Sequence, residues 1–159
     1  MARRTGFKLP GLRTWVDNIK NEVSRQAAEQ IVLDLKEIGP YWTGTFEKSW
    51  VVRQGDVRIP AFTEPKERTA FPSQRKITPI KKVEPPRGRK SVFFTIGNTT
   101  TYRNVALDLV PGRIKAGGNE TAPQDWFRTY VEGGNLRLTL QQVTKRTAQD
   151  PKIRGFKGS

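Results

Sequence analysis

Apolar residues between positions 12 and 38 fall at Leu12, Val16, Ile19, Val23, Ala27, Ile31, Leu35 and Ile38, every step three or four. That spacing predicts one long amphipathic helix, with Lys20, Glu22, Arg25, Glu29 and Lys36 on its other face. Gly39-Pro40 ends it in the expected order, glycine at the cap and proline just beyond. From Phe46 the period changes. Phe46, Trp50 and Val52 fall mostly on one parity, and Val57 and Ile59 follow beyond Arg53-Gln54-Gly55-Asp56, which reads as a hairpin with a Gly-Asp turn. A third strand is predicted over 91–98, where Val92, Phe94 and Ile96 alternate before Gly97-Asn98.

Further on, Tyr102, Val105, Ala106 and Leu109 share one side of a short predicted helix that Pro111-Gly112 closes. Another starts at Pro123, with Asp125 in its first turn and Trp126, Phe127, Tyr130 and Val131 as its apolar face. After Gly133-Gly134, Leu136, Leu138 and Leu140 alternate like a strand, whereas Leu136, Leu140, Val143 and Thr147 fit a helix. Helix is the better reading, because no partner strand follows. The sum is an α+β domain: a small antiparallel sheet packed by the long N-terminal helix and a C-terminal helix. Residues 1–11 read as a basic arm, 12–147 as the single domain, and 148–159 as a flexible tail.

The stretch 60–90 breaks every period. It holds six of the eleven prolines, a density that neither a helix nor a central strand survives. Nine basic residues stand there against three acidic ones. It reads as an extended arm inserted between strands. A solvated linker would also carry such charge, but Phe62, Phe71, Ile77, Ile80 and Val83 are interspersed through it, and they favour docking on DNA phosphate or a neighbouring subunit.

Net charge over the 159 residues is +14, from 29 basic and 15 acidic side chains, which favours an anionic partner. There is no cysteine and no histidine, so disulfides, thiolate chemistry and the commonest general base and zinc ligand are excluded together. No run approaches the roughly 20 apolar residues of a membrane span, and the N-terminus lacks a signal-peptide core; the expectation is a cytoplasmic product with no membrane partner. Asp56 followed by Glu64-Pro65-Lys66 mimics the acidic pair and lysine of metal-dependent nucleases. The mimicry fails, because the Glu-x-Lys must lie on a central strand and Pro65 forbids one. We expect no catalytic residue, metal or cofactor. The pairs Tyr41-Trp42, Phe93-Phe94 and Trp126-Phe127 fit core packing, with Trp42 and Trp126 also candidates for a subunit contact.

One ordered set of short motifs remains: a helix, then Pro40-Tyr41-Trp42-Thr43-Gly44-Thr45-Phe46 with Ser49, then Ile96-Gly97, Tyr102, Asp108 and Gly112. In this order the chain resembles the minor tail component or neck family of tailed bacteriophages, the small tail-completion and head–tail joining proteins. The likeness covers most of residues 12–147, and it is carried by the order of the motifs, each short in itself. Arg103 stands where that family has a small residue, Asp108 where it has glutamate, and the spacing to Gly112 is stretched. The resemblance implies a structural virion protein at the head–tail junction. It implies a homo-oligomeric ring, as a hexamer, that touches head connector and tail terminator and surrounds the channel through which DNA leaves. Pro40, Thr43 and Gly44 then form a structural hinge, the threonine capping the turn and Gly44 supplying a positive φ. Phe62, Phe71, Arg75, Lys76, Ile77, Lys81 and Lys82 become candidate partner contacts, facing acidic subunits more than the lumen, since phosphate contacts would hold back a sliding genome. A basic nucleic-acid-binding protein is the alternative; strong, salt-dependent DNA affinity of the monomer would mark it.

Overall fold

The computed structural model describes residues 12–40, 45–61, 80, 92–101, 103–108 and 125–150. Helix α1 runs Leu12–Ile38 and is followed by the single-turn helix α2, Thr45–Lys48. Strand β1, Trp50–Gln54, pairs antiparallel with β2, Phe94–Asn98. Three helices complete the order: α3 (Arg103–Asp108), α4 (Trp126–Glu132) and α5 (Asn135–Gln149). Among the described residues the architecture is α+β, with a two-stranded antiparallel sheet, the long N-terminal helix packed on it and the C-terminal helix packed on that first helix.

Period explains α1, and its end is marked by the Gly39 N–H donating to the Leu35 carbonyl at 3.1 Å. The buried side chains on it are Ala27, Ala28, Val32 and Leu35, with Ile31 and Ile38 packed partly against the same core. That stripe is wider than a single heptad seam and lies toward the C-terminal half. Phe46, Trp50, Ala106, Trp126 and Tyr130 fill the space opposite. Phe46 stands edge-on to both Trp50 and Trp126, with ring centroids 5.6 and 6.3 Å apart, the geometry that aromatic quadrupoles favour.

The expected hairpin does not form. Phe46 belongs to α2, and β1 pairs with β2 in the register Trp50↔Asn98, Val52↔Ile96, Gln54↔Phe94. Gly55, at φ +89°, extends the ladder by one bond to the Phe93 carbonyl and then turns the chain back. Beyond it, the Val57 N–H donates to the Thr95 hydroxyl, and that hydroxyl donates to the Gly55 carbonyl. Ile59 comes to rest over Gly97, where an added Cβ would lie 2.8 Å from the Ile59 Cδ1. Residues 57–59 thus cross the outer face of the sheet and do not lengthen it.

At the other end, α4 starts at Trp126, three residues after the predicted Pro123, with Asp125 as its N-cap residue. Gly134, at φ +99°, makes the turn into α5, a conformation that L side chains rarely adopt. Residues 135–149 are helical, as favoured from the sequence, but the buried face is Thr139, Val143 and Thr147; Leu138 and Leu140 are exposed. This face meets α1 through hydrogen bonds. The carboxylate of Asp34 accepts from the Tyr130 hydroxyl (2.8 Å), the Thr139 hydroxyl (2.6 Å) and the Gln30 amide (2.9 Å). Burial pushes the Tyr130 phenol well above its ordinary pKa.

Candidate functional site

Three places in the fold hold the described residues that the sequence singled out. The first is the end of α1. Pro40 is half-buried there, and an added Cβ on Gly39 would lie 2.6 Å from the Leu35 carbonyl oxygen and 3.2 Å from the Trp126 indole. Gly39 is needed because the Leu35 carbonyl, with the indole close behind it, leaves no room for a Cβ, not because of a positive φ. We expect Gly39→Ala to cost about 1–3 kcal/mol, since a backbone carbonyl cannot yield as a flexible side chain does. A denaturant midpoint equal to that of the unsubstituted protein would remove this account. Trp42, Thr43 and Gly44 lie outside the described residues.

Trp126 requires a correction. It is 3% exposed and its Nε1–H donates to the Ala106 carbonyl at 2.9 Å, so it ties α4 to α3 inside the subunit. Its ring has no face left for a neighbour.

The second place is the junction of α2 with β2. The Asn98 side chain is buried and donates from Nδ2 to the Phe46 carbonyl at 2.7 Å. Its Oδ1 accepts from the N–H and the hydroxyl of Thr100. Thr99 donates twice to the Ser49 carbonyl, from its N–H at 3.0 Å and its hydroxyl at 3.2 Å. Every one of these polar side chains is almost fully enclosed, and each is satisfied, which makes the junction a specific lock. Arg103 closes it from the side, one Nη1 donating to both the Ile59 carbonyl (3.1 Å) and the Asn98 carbonyl (2.9 Å). So the arginine at that position staples residues 57–59 to the end of β2. Replacing it by methionine keeps much of the stem's packing and strands two carbonyls; urea unfolding should register a loss of about 1–2 kcal/mol. Unchanged stability would show that the staple contributes nothing.

The third place is the solvent side of α1, where the inserted segment returns. Ile80 is held there by both of its main-chain groups. Its N–H donates to Glu29 Oε1 at 2.7 Å, and its carbonyl accepts from Arg25 Nη1 at 3.1 Å. Arg25 is itself gripped by Glu22, through Nε at 3.1 Å and Nη2 at 2.5 Å, and by Glu29 at 2.7 Å. The Glu22 hydrogen bond is the largest cause raising the guanidinium pKa above its ordinary value. One turn earlier the Val92 N–H donates to Asn21 Oδ1 at 3.2 Å. Thus Asn21, Arg25 and Glu29, spaced four apart along one face, receive the chain at residues 80 and 92. Of the arm residues expected to touch a partner, Phe62, Phe71, Arg75, Lys76, Ile77, Lys81 and Lys82 lie outside the described residues. The latch at Ile80 was missed from the sequence; only the i, i+3 and i, i+4 charge spacing of Glu22, Arg25 and Glu29 hinted at an organised face.

Among the described residues no group of three or more His, Cys, Asp or Glu could hold a metal ion, and no helix is long and apolar enough to cross a membrane. Asp56 is exposed, and Glu64 lies outside the described residues. Burial lowers the pKa of Lys36, while the charge of Glu47 opposes that shift. No family model, curated protein or solved structure matches the chain.

Proposed function

We propose that this chain is a structural protein of the phage neck, assembling as a homo-oligomeric ring that joins head connector to tail around the DNA exit channel. One observation carries the reading. Phe46 and Ser49 of the first motif accept hydrogen bonds, through their main-chain carbonyls, from the buried side chains of Asn98 and Thr99, the two residues that directly follow Ile96-Gly97 about fifty positions later. Short motifs that match by accident have no reason to converge; motifs that define a fold core do. The reading is also consistent with the arrangement of one long helix, a small sheet and a C-terminal helix.

On this view the work is mechanical, and the residues that matter are those that hold shape and those that touch neighbours. The test is the mass of the purified protein, alone and mixed with candidate connector and terminator proteins, together with electron microscopy of the mixture. A ring of defined stoichiometry is the expected result. A monomer under every condition, with tight DNA binding that weakens steeply with salt, would replace this reading by the nucleic-acid-binding one, which the net charge of +14 favours.

A further inference from the structure

The latch on Ile80 is continuous with the packing of the C-terminal helix. Thr147 of α5 is 1% exposed, and its hydroxyl donates to Gln26 Oε1 at 3.0 Å. The Gln26 amide nitrogen donates to Glu22 Oε1 at 2.9 Å, the same oxygen that Arg25 Nη2 reaches. From Glu22 the contacts pass through Arg25 to the Ile80 carbonyl, and through Arg25 to Glu29, which holds the Ile80 N–H. An unbroken chain of hydrogen bonds therefore joins the buried face of α5 to the main chain at residue 80.

We propose that Thr147–Gln26–Glu22–Arg25 is a positioning relay, through which the docking of α5 on α1 sets the strength with which α1 holds the inserted segment at Ile80. The physical reason lies in the side chains involved. Gln26, Glu22 and Arg25 are long and rotamer-rich, and each must be held in one arrangement for the guanidinium to meet a carbonyl. Thr147 is short and buried, so its hydroxyl is fixed by packing and orients the Gln26 amide, with the oxygen toward α5 and the nitrogen toward Glu22. With Glu22 held, the Arg25 fork is aimed at Ile80 and Glu29 together. Without Thr147 the Gln26 amide loses its orientation, and the relay loosens outward from the core. The segment's attachment thus responds to any event that shifts α5 against α1. The inference concerns contacts within one subunit and stands whether or not the chain forms a ring.

Amide hydrogen exchange of the full chain, read by NMR at Ile80 with Val32 of the α1 core as internal reference, tests it. Arg25→Met should speed exchange at Ile80 about tenfold, and Thr147→Val about three- to tenfold, with Val32 little changed in either. Thr147→Ser, which keeps the hydroxyl, should restore the slow rate. The double variant Arg25→Met/Thr147→Val should exchange no faster at Ile80 than Arg25→Met alone, because the threonine acts through the arginine. If the two effects multiply, or if Thr147→Val speeds Ile80 and Val32 in equal proportion, the relay is wrong and α5 acts only on global stability. No change at Ile80 in Arg25→Met would overturn the latch itself.

Discussion

Trp126→Ala should unfold most of this protein at moderate denaturant concentration, with a loss of about 3–5 kcal/mol. The indole is buried against Phe46 and Phe127, with centroids 6.3 and 5.6 Å away, and it packs against the end of α1 at Gly39. Its removal leaves a cavity where α1, α2, α3 and α4 meet, and it strands the Ala106 carbonyl that accepted its N–H. Domains of this size are stable by only about 5–15 kcal/mol, so the loss is a large fraction of the whole. Trp126→Phe separates the two terms: it keeps most of the ring and gives up the hydrogen bond, and it should cost about 1–2 kcal/mol. Equilibrium urea unfolding of both variants decides. An alanine variant within 1 kcal/mol of the parent would mean that the core closes without the indole.

Reversing Arg75, Lys76, Lys81 and Lys82 to glutamate is expected to leave the subunit folded and to produce heads and tails that do not join. Under the proposed function these charges meet carboxylates of a neighbouring ring, with Phe62, Phe71 and Ile77 as apolar anchors beside them. Four reversals turn attraction into repulsion across the same contact, an effect of several kcal/mol per interface repeated around a ring. Counting joined particles by electron microscopy gives the readout, and circular dichroism of the purified variant checks the fold. Normal particles with only an altered rate of DNA ejection would move the charge to the channel. Loss of DNA affinity by an isolated monomer would favour the nucleic-acid-binding alternative.

How legible each part of the fold was follows from the range of the forces that shape it. Helix α1 could be read to the residue, Leu12 to Ile38, because its signal is local and repeats over 27 residues. β2 was legible for the same reason, as Phe94 and Ile96 alternate. The expected second strand was not, because nothing near Val57 in sequence reveals that Thr95 and Arg103 draw residues 57–59 across the sheet. In α5 the helical reading placed Val143 and Thr147 on the packed face, and both are buried; Leu140 is exposed instead, and Thr139 is buried because Asp34 partners it across more than a hundred residues. A hydrophobicity pattern registers Val143 but cannot register a hydroxyl such as that of Thr139 that is buried by a distant carboxylate. The site was less legible still. Trp126 fitted core packing first and a subunit contact second, and its burial decides for the core. The attachment at Ile80 engages main-chain groups, so no side-chain pattern at that position could announce it.

The pairing of β1 with β2 has an evolutionary corollary. Two strands that neighbour each other in the sheet are joined by everything from Gly55 to Phe93, so the sheet closes around an insertion. Closure entropy rises only logarithmically with loop length, and doubling such a loop costs about 0.6 kcal/mol. Outside residues 57–59 and the attachment points at Ile80 and Val92, selection can therefore lengthen, shorten or recompose the insertion almost without touching the stability of the domain that carries it. Ile80, pinned to α1, divides it into two lengths of chain, one on either side. Each can drift separately in size and charge, and a scaffold built this way can acquire a new neighbour while its own core stays as it is.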